Sequence, residues 1–573
     1  MKPARILTRP IDQNAQQNLL AQGIEPLLAR LFSARSVQNK QETEHHFAAL
    51  LPFHNLKNIH AASERLAKAI RTQEKILIVA DYDADGATAC AVGILGLQAM
   101  GGKVDFLVPN RFEHGYGLTP EIAELAARSG TNLLVTVDNG IASLAGVLHA
   151  RQLGMDVLIT DHHLPGEKLP NCIIVNPNQP GDTFISKSLA GVGVIFYVLM
   201  ALRQYLRVND WFNIERPEPN LAQWLDLVAL GTIADVVPLD HNNRILVAQG
   251  LKRIRAGKMQ AGVEALFAMA KRKPQKAHAV DLGFCIAPRL NAAGRLDDMS
   301  LGIACLLCKD KEQAKNLAQQ LDDLNQERRQ IQRSMQDEAI LQLADINPTD
   351  HCSIVAYNEN WHQGVVGIVA GKLREVHHRP SIVFAPAENG ILRGSGRSIP
   401  GLHLRDALDL VSKQHPDLMQ KFGGHAMAAG LSLAAVNLPA FRQAFEKICR
   451  ELINPEDLNH TLQTDGALDS QYLSLATAQL LNTLVWGQKF PEPCFCNEFT
   501  VISQHPVGSG HVKAILRHDK QEYEAMFFRC SAILPKQIRA VYRLVANEWR
   551  QKWELQLYID YWEICTQTNI QAV

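Results

Sequence analysis

Residues 75–86 read KILIVADYDADG, a β-rich apolar run that leads directly into three aspartates, Asp81, Asp83 and Asp85, alternating over five positions and closed by Gly86. The same arrangement recurs along the chain. KVDFLV (103–108) leads into Pro109-Asn110-Arg111, NLLVTV (132–137) into Asp138-Asn139-Gly140, and DVLIT (156–160) into Asp161-His162-His163. Continuous apolar strands separated by helical segments of about a dozen residues predict βαβ units and a parallel sheet buried on both faces. Ligands of such sheets collect at the carboxyl ends of the strands. One sheet edge is therefore expected to gather Asp81, Asp83, Asp85, Asn110, Arg111, Asp138, Asp161, His162 and His163. Further on, LAQWLDLVALGTIADVVPL (221–239) reads as a helix followed by a turn that carries Asp235.

Three carboxylates this close repel one another unless a cation shares them. Oxygen ligands with one or two imidazoles favour Mg²⁺ or Mn²⁺, and the imidazole tilts the balance toward Mn²⁺. Asp138, Asp235 and His162 complete a set large enough for two cations with a bridging carboxylate, an arrangement suited to in-line displacement at phosphorus. Gly86 lets the chain turn into the next helix, whose N-terminus also favours anions. A DxDxDG run opens calcium loops too, but Val92 stands where such a loop needs its glutamate. Two adjacent histidines are ordinary surface residues when isolated; beside the other strand-end clusters they read as ligands.

At about 150 residues per domain, 573 residues make three to five domains. Lys+Arg and Asp+Glu are both 58, hydrophobics 47% and charged residues 20%, the composition of a well-cored globular protein, which excludes wholesale disorder. With no net charge, a nucleic-acid partner would be held by local basic patches. No stretch approaches the roughly 20 apolar residues of a membrane span, and MKPARILTRPIDQNAQQN lacks the apolar core of a signal peptide, so the expectation is a cytoplasmic protein. The 11 cysteines are scattered, which fits reduced thiols. Cys305/Cys308 and Cys494/Cys496 each lack the second pair that a zinc site needs, and the first lies in an apolar run, as a buried thiol does.

Residues 1–50 are mostly helical in pattern and 51–245 carry the α/β alternation. Residues 246–346 are helical and end in a long amphipathic helix from about 310 to 346, where Ala314, Leu317, Leu321, Leu324, Ile331 and Met335 recur at three- and four-residue steps and Pro348 closes the segment. A second α/β segment, 347–455, is rich in glycine turns at Trp361-His-Gln-Gly, Gly394-Ser-Gly-Arg-Ser and Gly423-Gly-His-Ala-Met-Ala-Ala-Gly. Residues 456–573 change to short alternating runs, HVKAILRH, YEAMFFRC and WELQLYIDYWEI, which predict a small antiparallel barrel or sandwich.

Taken in order, Asp81-Tyr-Asp-Ala-Asp-Gly, His114-Gly-Tyr-Gly, Val137-Asp-Asn-Gly, Asp161-His-His, Ala234-Asp, Asn291-Ala-Ala-Gly-Arg, Gly394-Ser-Gly-Arg and Gly423-Gly-His resemble the motifs of the DHH phosphoesterase family, and within it those of the bacterial single-strand-specific exonucleases. The resemblance runs from about residue 50 to 430. Many family members begin the first motif with histidine where Asp81 stands here; the exonucleases also carry aspartate, which sets this chain apart from pyrophosphatase relatives. The resemblance implies an α/β architecture: a DHH parallel-sheet domain, a long connecting helix, a DHHA1 domain and a C-terminal OB-like β-barrel. It implies a 5′→3′ exonuclease that releases 5′-mononucleotides from single-stranded DNA in repair and recombination, using two Mn²⁺ or Mg²⁺ ions. Carried over residue by residue, Asp81, Asp83, Asp85, Asp138, His162 and Asp235 would hold metal, Asp161 would support the histidines, and His163 would lie beside the scissile phosphate as ligand or donor. A single-strand-binding protein and a RecQ-type helicase are the implied partners of a monomeric enzyme.

In that architecture the second lobe grips substrate. Gly423, Gly424 and His425 offer backbone amides and an imidazole to a phosphate oxygen. Ser395 and Arg397, like Arg111 and Arg295, suit a terminal phosphate, and His114 and Tyr116 suit the terminal nucleotide. In the tail, Lys513, Arg517, Lys520, Arg529 and Arg543 interleave with Tyr523, Phe527, Phe528, Tyr542 and Trp549, as a base-stacking groove would, although alternating aromatics are more often the core of a barrel. The alternatives are a phosphoesterase of short oligonucleotides or cyclic dinucleotides, whose members are typically much shorter; a non-catalytic DNA-binding scaffold, which would have lost metal aspartates; and an inorganic pyrophosphatase, disfavoured by length.

Overall fold

Lys75–Ala80 forms strand β1, and the chain returns beside it through helical crossovers to give β2 (Lys103–Leu107), β3 (Leu133–Val137), β4 (Asp156–Thr160) and β5 (Ile173–Val175). The sheet has the order β2-β1-β3-β4-β5 and is parallel throughout. The computed structural model describes residues 4–109, 117–343, 350–508, 510–530, 532–549 and 552–565. The crossovers are α1 (Ala84–Ala99), α2 (Pro120–Arg128) and α3 (Leu144–Gln152); α4 (Gly191–Val208) and α5 (Leu225–Ala234) follow β5. Leu77, Val79, Leu134 and Ile159 share one core with Ile122, Ala126, Val147 and Ala150 of α2 and α3. Ile78 points the other way, against α1 at Gly93. Both faces are covered, which is why the strands read as unbroken apolar runs. The four strands expected from sequence are present to within a residue; β5, three residues long, offered too short a run to be seen. Among the described residues α4 is the one helix long and apolar enough to cross a membrane, and most of it is buried inside the protein.

A short π-helical turn, Leu282–Ile286, leads into α6 (Ala287–Leu296), and the long helix α7 spans Lys311–Gln342, close to expectation. The chain divides into two compact units whose boundary falls within α7: Thr8–Asp323 with Thr464–Val573, and Leu324–Gln463 with the first residues up to Leu7. The latter holds β6 (Ile354–Tyr357), α8 (Val366–His377), β7 (Ser381–Pro386), β8 (Ile391–Arg397), β9 (Lys421–Gly424) and β10 (Ala428–Ala434) in a sheet of order β9-β10-β8-β7-β6. Its core is built on Ile382, Phe384, Leu404, Phe441 and Phe445.

The tail is a closed barrel of β11 (Phe495–Val507), β12 (His511–His518), β13 (Gln521–Phe527), β14 (Gln537–Trp549) and β15 (Lys552–Ile564), in the order β11-β12-β13-β15-β14. It belongs to the same unit as the parallel sheet. Buried Arg35 forks onto Asp465 at 2.8 and 2.9 Å, the Leu239 amide donates to the Gln488 carbonyl at 2.9 Å, and Arg244 lies over the Phe490 ring at 4.2 Å. The barrel resolves the interleaved pattern of the tail. Tyr523, Phe527 and Tyr542 are core, while Lys513 pairs with Glu524, Arg517 with Glu522, and Arg543 with Asp560 and Glu492. Phe528 is the exposed aromatic of that set; the Trp549 side chain lies outside the described residues. At the other end of the chain, helices Gln13–Ala21 and Pro26–Ser33 fit the expected pattern, whereas the strand Arg5–Thr8 was not foreseen.

Candidate metal centre

The parallel ladder continues one residue past its strands. The Asp81 amide donates to the Val137 carbonyl at 3.3 Å, Asp138 to Thr160 at 3.0 Å, and Asp161 to Val175 at 3.1 Å. Adjacent strands run about 4.8 Å apart, so three carboxylates are held in a row by the sheet itself. The row straddles the boundary between β1 and β3, where the strand order reverses and a crevice opens. Asn139 braces that boundary, donating to the carbonyls of Val79 and Val137 at 3.1 and 2.9 Å. Asp138 itself has left-handed backbone, φ 62°, as does Val236 (φ 60°) beside Asp235. Such conformations cost roughly 1–3 kcal/mol and persist only where the surroundings enforce them.

Helix ends supply the remaining candidate ligands. Asp83 caps α1, its Oδ1 accepting from the amides of Asp85 and Gly86 at 2.9 and 3.0 Å. Asp85, in the first turn, accepts from the first two amides of α4, Gly191 at 2.6 Å and Val192 at 3.0 Å, where the helix dipole favours its charge. This docking requires glycine at 191, because a Cβ there would stand 2.5 Å from the Asp138 Cβ. Asp235 caps the C-terminus of α5. His162 Nε2 lies 3.1 Å from Asp138 Oδ1 and 3.4 Å from Asp235 Oδ2. Asp161 is fully engaged in support: Oδ1 accepts from the amides of His162 and His163 and from His163 Nδ1, and Oδ2 from the Ile141 amide.

Candidate ligand atoms of Asp81, Asp83 and Asp138 lie within 4.8 Å of one another, as do those of Asp85, His162 and Asp235, and those of Asp138, His162 and His163. Burial pushes the Asp85 carboxyl up to about 7, with the Asp83 charge adding to it. Burial and the neighbouring aspartates raise Asp138 and Asp235 well above the carboxylate range. Burial, and then the His163 charge, lower His162 to about 4, so its imidazole is neutral with a lone pair to give. His162 Nε2 and Asp235 Oδ2 are buried and have no hydrogen-bond partner among the described residues. A cluster that repels itself and aims buried acceptor atoms at one place fits divalent cations with hard ligands, and the overlap of the triads at Asp138 fits two of them.

The other expected site residues fall into three groups. Asn110, Arg111, His114 and Tyr116 lie outside the described residues. Arg295 is half-buried on α6. Ser395, Arg397, Gly423, Gly424 and His425 belong to the unit of residues 324–463. There Arg397 Nη1 donates to Ser395 Oγ at 3.1 Å, Ser395 pairs with Gly430 of β10, and β10 pairs in turn with β9, whose Gly424 precedes the exposed His425. These residues share one sheet end across three neighbouring strands. Sequence reasoning missed the supports. Asn291 accepts the Ala84 amide at 2.9 Å, and Asn139 and Gly191 pack as described; Asn291 was visible only as part of an ordered motif whose role no local pattern shows.

Comparison with known proteins agrees with this architecture. Residues 75–232 match the DHH family, N-terminal domain; residues 350–451 match the DHHA1 domain; residues 464–561 match the RecJ OB domain. The chain is 47% identical to the single-stranded-DNA-specific exonuclease RecJ of Salmonella typhimurium, over 98% of this chain and 99% of that one. It is also 47% identical to the Escherichia coli protein of the same name, over 96% and 98%. Among solved structures, RecJ of Thermus thermophilus in complex with Mn²⁺ superposes with a TM-score of 0.82 at 28% identity, covering 98% of this chain and 79% of that chain.

Proposed function

The chain belongs to the RecJ family of single-stranded-DNA-specific exonucleases, and we propose that it degrades single-stranded DNA from the 5′ end, releasing 5′-mononucleotides with the help of two Mn²⁺ or Mg²⁺ ions. The observation that carries the proposal is the convergence of Asp81, Asp83, Asp85, Asp138, His162 and Asp235 at one strand-end crevice, with overlapping ligand triads. Bound there, two such ions supply an activated water and neutralise charge on the phosphate. The chain's own residues do the rest. Asp83 and Asp85 are locked by helix-end amides, so their free lone pairs keep a fixed direction. Asp161 fixes the ring of His163 through Nδ1 and holds it charged, which suits that imidazole to a phosphate oxygen. In the unit of residues 324–463, the paired Ser395 and Arg397 suit a terminal 5′-phosphate, and the Gly423-Gly424 amides with His425 suit a phosphate oxygen. The same proposal includes a monomer in the cytoplasm that works beside a single-strand-binding protein and a RecQ-type helicase, on the strength of the family resemblance.

The test is product analysis on single-stranded DNA labelled at either end, with Mn²⁺ or Mg²⁺, beside a dinucleotide. Release of labelled mononucleotide from the 5′ end, with stepwise shortening of the 3′-labelled strand, is the expected result. Cleavage of the dinucleotide alone would replace it with a short-oligonucleotide phosphoesterase, and binding without cleavage would leave a scaffold.

A further inference from the structure

The first turn of α1 starts inside the acidic cluster, so its backbone amides compete with any cation for the same carboxylates. Amides at a helix N-terminus have no partner within the helix. Those of Asp85 and Gly86 are taken by Asp83 Oδ1, and that of Tyr82 by Asp81 Oδ1 at 2.6 Å. The Ala84 amide is satisfied from outside, by Asn291 Oδ1 of α6 at 2.9 Å. α6 is seated firmly enough to serve as a fixed acceptor. A Cβ on Gly294 would stand 1.8 Å from the Tyr82 carbonyl oxygen, so the helix rests directly on the metal loop. Its Arg289 pairs with Asp322 of α7 at 2.7 Å in a mostly buried contact. The π-helical turn before it packs at Gly283 on Ile233, two residues before Asp235. One support therefore touches both the Asp81–Asp85 loop and the helix that ends in Asp235.

We propose that Asn291 is a positioning residue for metal binding. By accepting the Ala84 amide, it keeps that donor away from the carboxylate oxygens of Asp81 and Asp83 that a cation needs, and it pins the loop at the spacing the ligands require. This deepens the proposed metal-dependent activity, but its test needs no DNA. Removing an outer support of a metal ligand typically weakens metal binding by about 10- to 100-fold.

The measurement is calorimetric titration of Mn²⁺ into the chelator-treated full-length chain, with thermal unfolding in chelator as the control for folding. Asn291→Ala should weaken Mn²⁺ binding about tenfold or more. The Mn²⁺ concentration for half-maximal cleavage should rise by the same factor, while kcat at saturating Mn²⁺ stays within about twofold of the parent. Asn291→Asp, which restores the acceptor, should recover most of the affinity. If Asn291→Ala does not fold, Asn291→Leu removes the acceptor at similar volume. Mn²⁺ binding within about twofold of the parent in the Ala or Leu variant would overturn the proposal, as would an Asp variant no better than Ala. A parent that binds Mn²⁺ but cuts no single-stranded DNA would refute the exonuclease reading and leave this inference standing.

Discussion

Asp85 carries a proton more readily than an ordinary carboxyl, because burial lifts it to about 7, and Asp138 and Asp235 are raised well above the carboxylate range by burial and then by the charges of Asp85 and Asp83. A cation must displace those protons. Mn²⁺ affinity should therefore fall by about tenfold or more from pH 8 to pH 6, with protons released on binding; titration in two buffers of different ionisation enthalpy reads both, and a flat affinity would contradict the raised carboxyls. Asp83→Ala or Asp138→Ala should abolish cleavage, leave the protein folded and remove Mn²⁺ binding in the same titration. Asp161 works differently. Burial alone would raise it, but the bond and charge of His163 bring it below the usual range; burial alone would lower His163, but Asp161 lifts it to about 9. A raised histidine contributes its full stability below its unfolded value near 6.5 and loses it as pH rises through about 9, whereas a lowered carboxyl loses its contribution as pH falls through its folded value, so the pair is ionised at neutral pH and fails in alkali and in strong acid. Asp161→Ala would strip acceptors from three amides and a charged ring, a loss of about 3 kcal/mol or more by urea denaturation at pH 7. At this scale the acidic cluster was legible because each of its members follows an apolar run. Asn139, Asn291 and Gly191 were not, because what they touch is set by packing between distant segments.

Elements explain why the candidate ligands stay in place. The N-terminus of α4 delivers two amides to Asp85, and a side chain at position 191 would block that approach. Gly191→Ala should separate α4 from the strand-end aspartates, lowering stability by at least about 2 kcal/mol and weakening Mn²⁺ binding in the fraction that folds; chemical denaturation and calorimetry check the two effects. Strands β1 to β4 were legible from continuous apolar runs, and α7 from its three- and four-residue period. The tail was legible as a barrel but not as a surface: alternation marks which residues face a wall and does not say which wall is inside. Tyr523, Phe527 and Tyr542 turned inward, and Lys513, Arg517 and Arg543 found carboxylates on neighbouring strands.

Over the whole molecule, the barrel and the parallel sheet form one unit although more than two hundred residues of chain separate them. Arg35 of the N-terminal segment and Asp465, which precedes the first barrel strand, make the most deeply buried ionic contact of this unit among the described residues, with side chains almost without solvent access. Asp465→Ala would strand the guanidinium and should cost about 3–5 kcal/mol, shifting the unfolding of sheet and barrel together in one transition; separate transitions would show that the barrel folds on its own. No run of sequence announces this join, since each partner is an unremarkable charge in its own segment. The strand-end ladder has a last consequence, in time. Because Asp81, Asp138 and Asp161 owe their main-chain positions to neighbouring strands, the crevice exists before any ion arrives. Chelation and reloading should then run as simple exchange, complete on mixing and repeatable, with none of the lag that a site assembled by its metal would show.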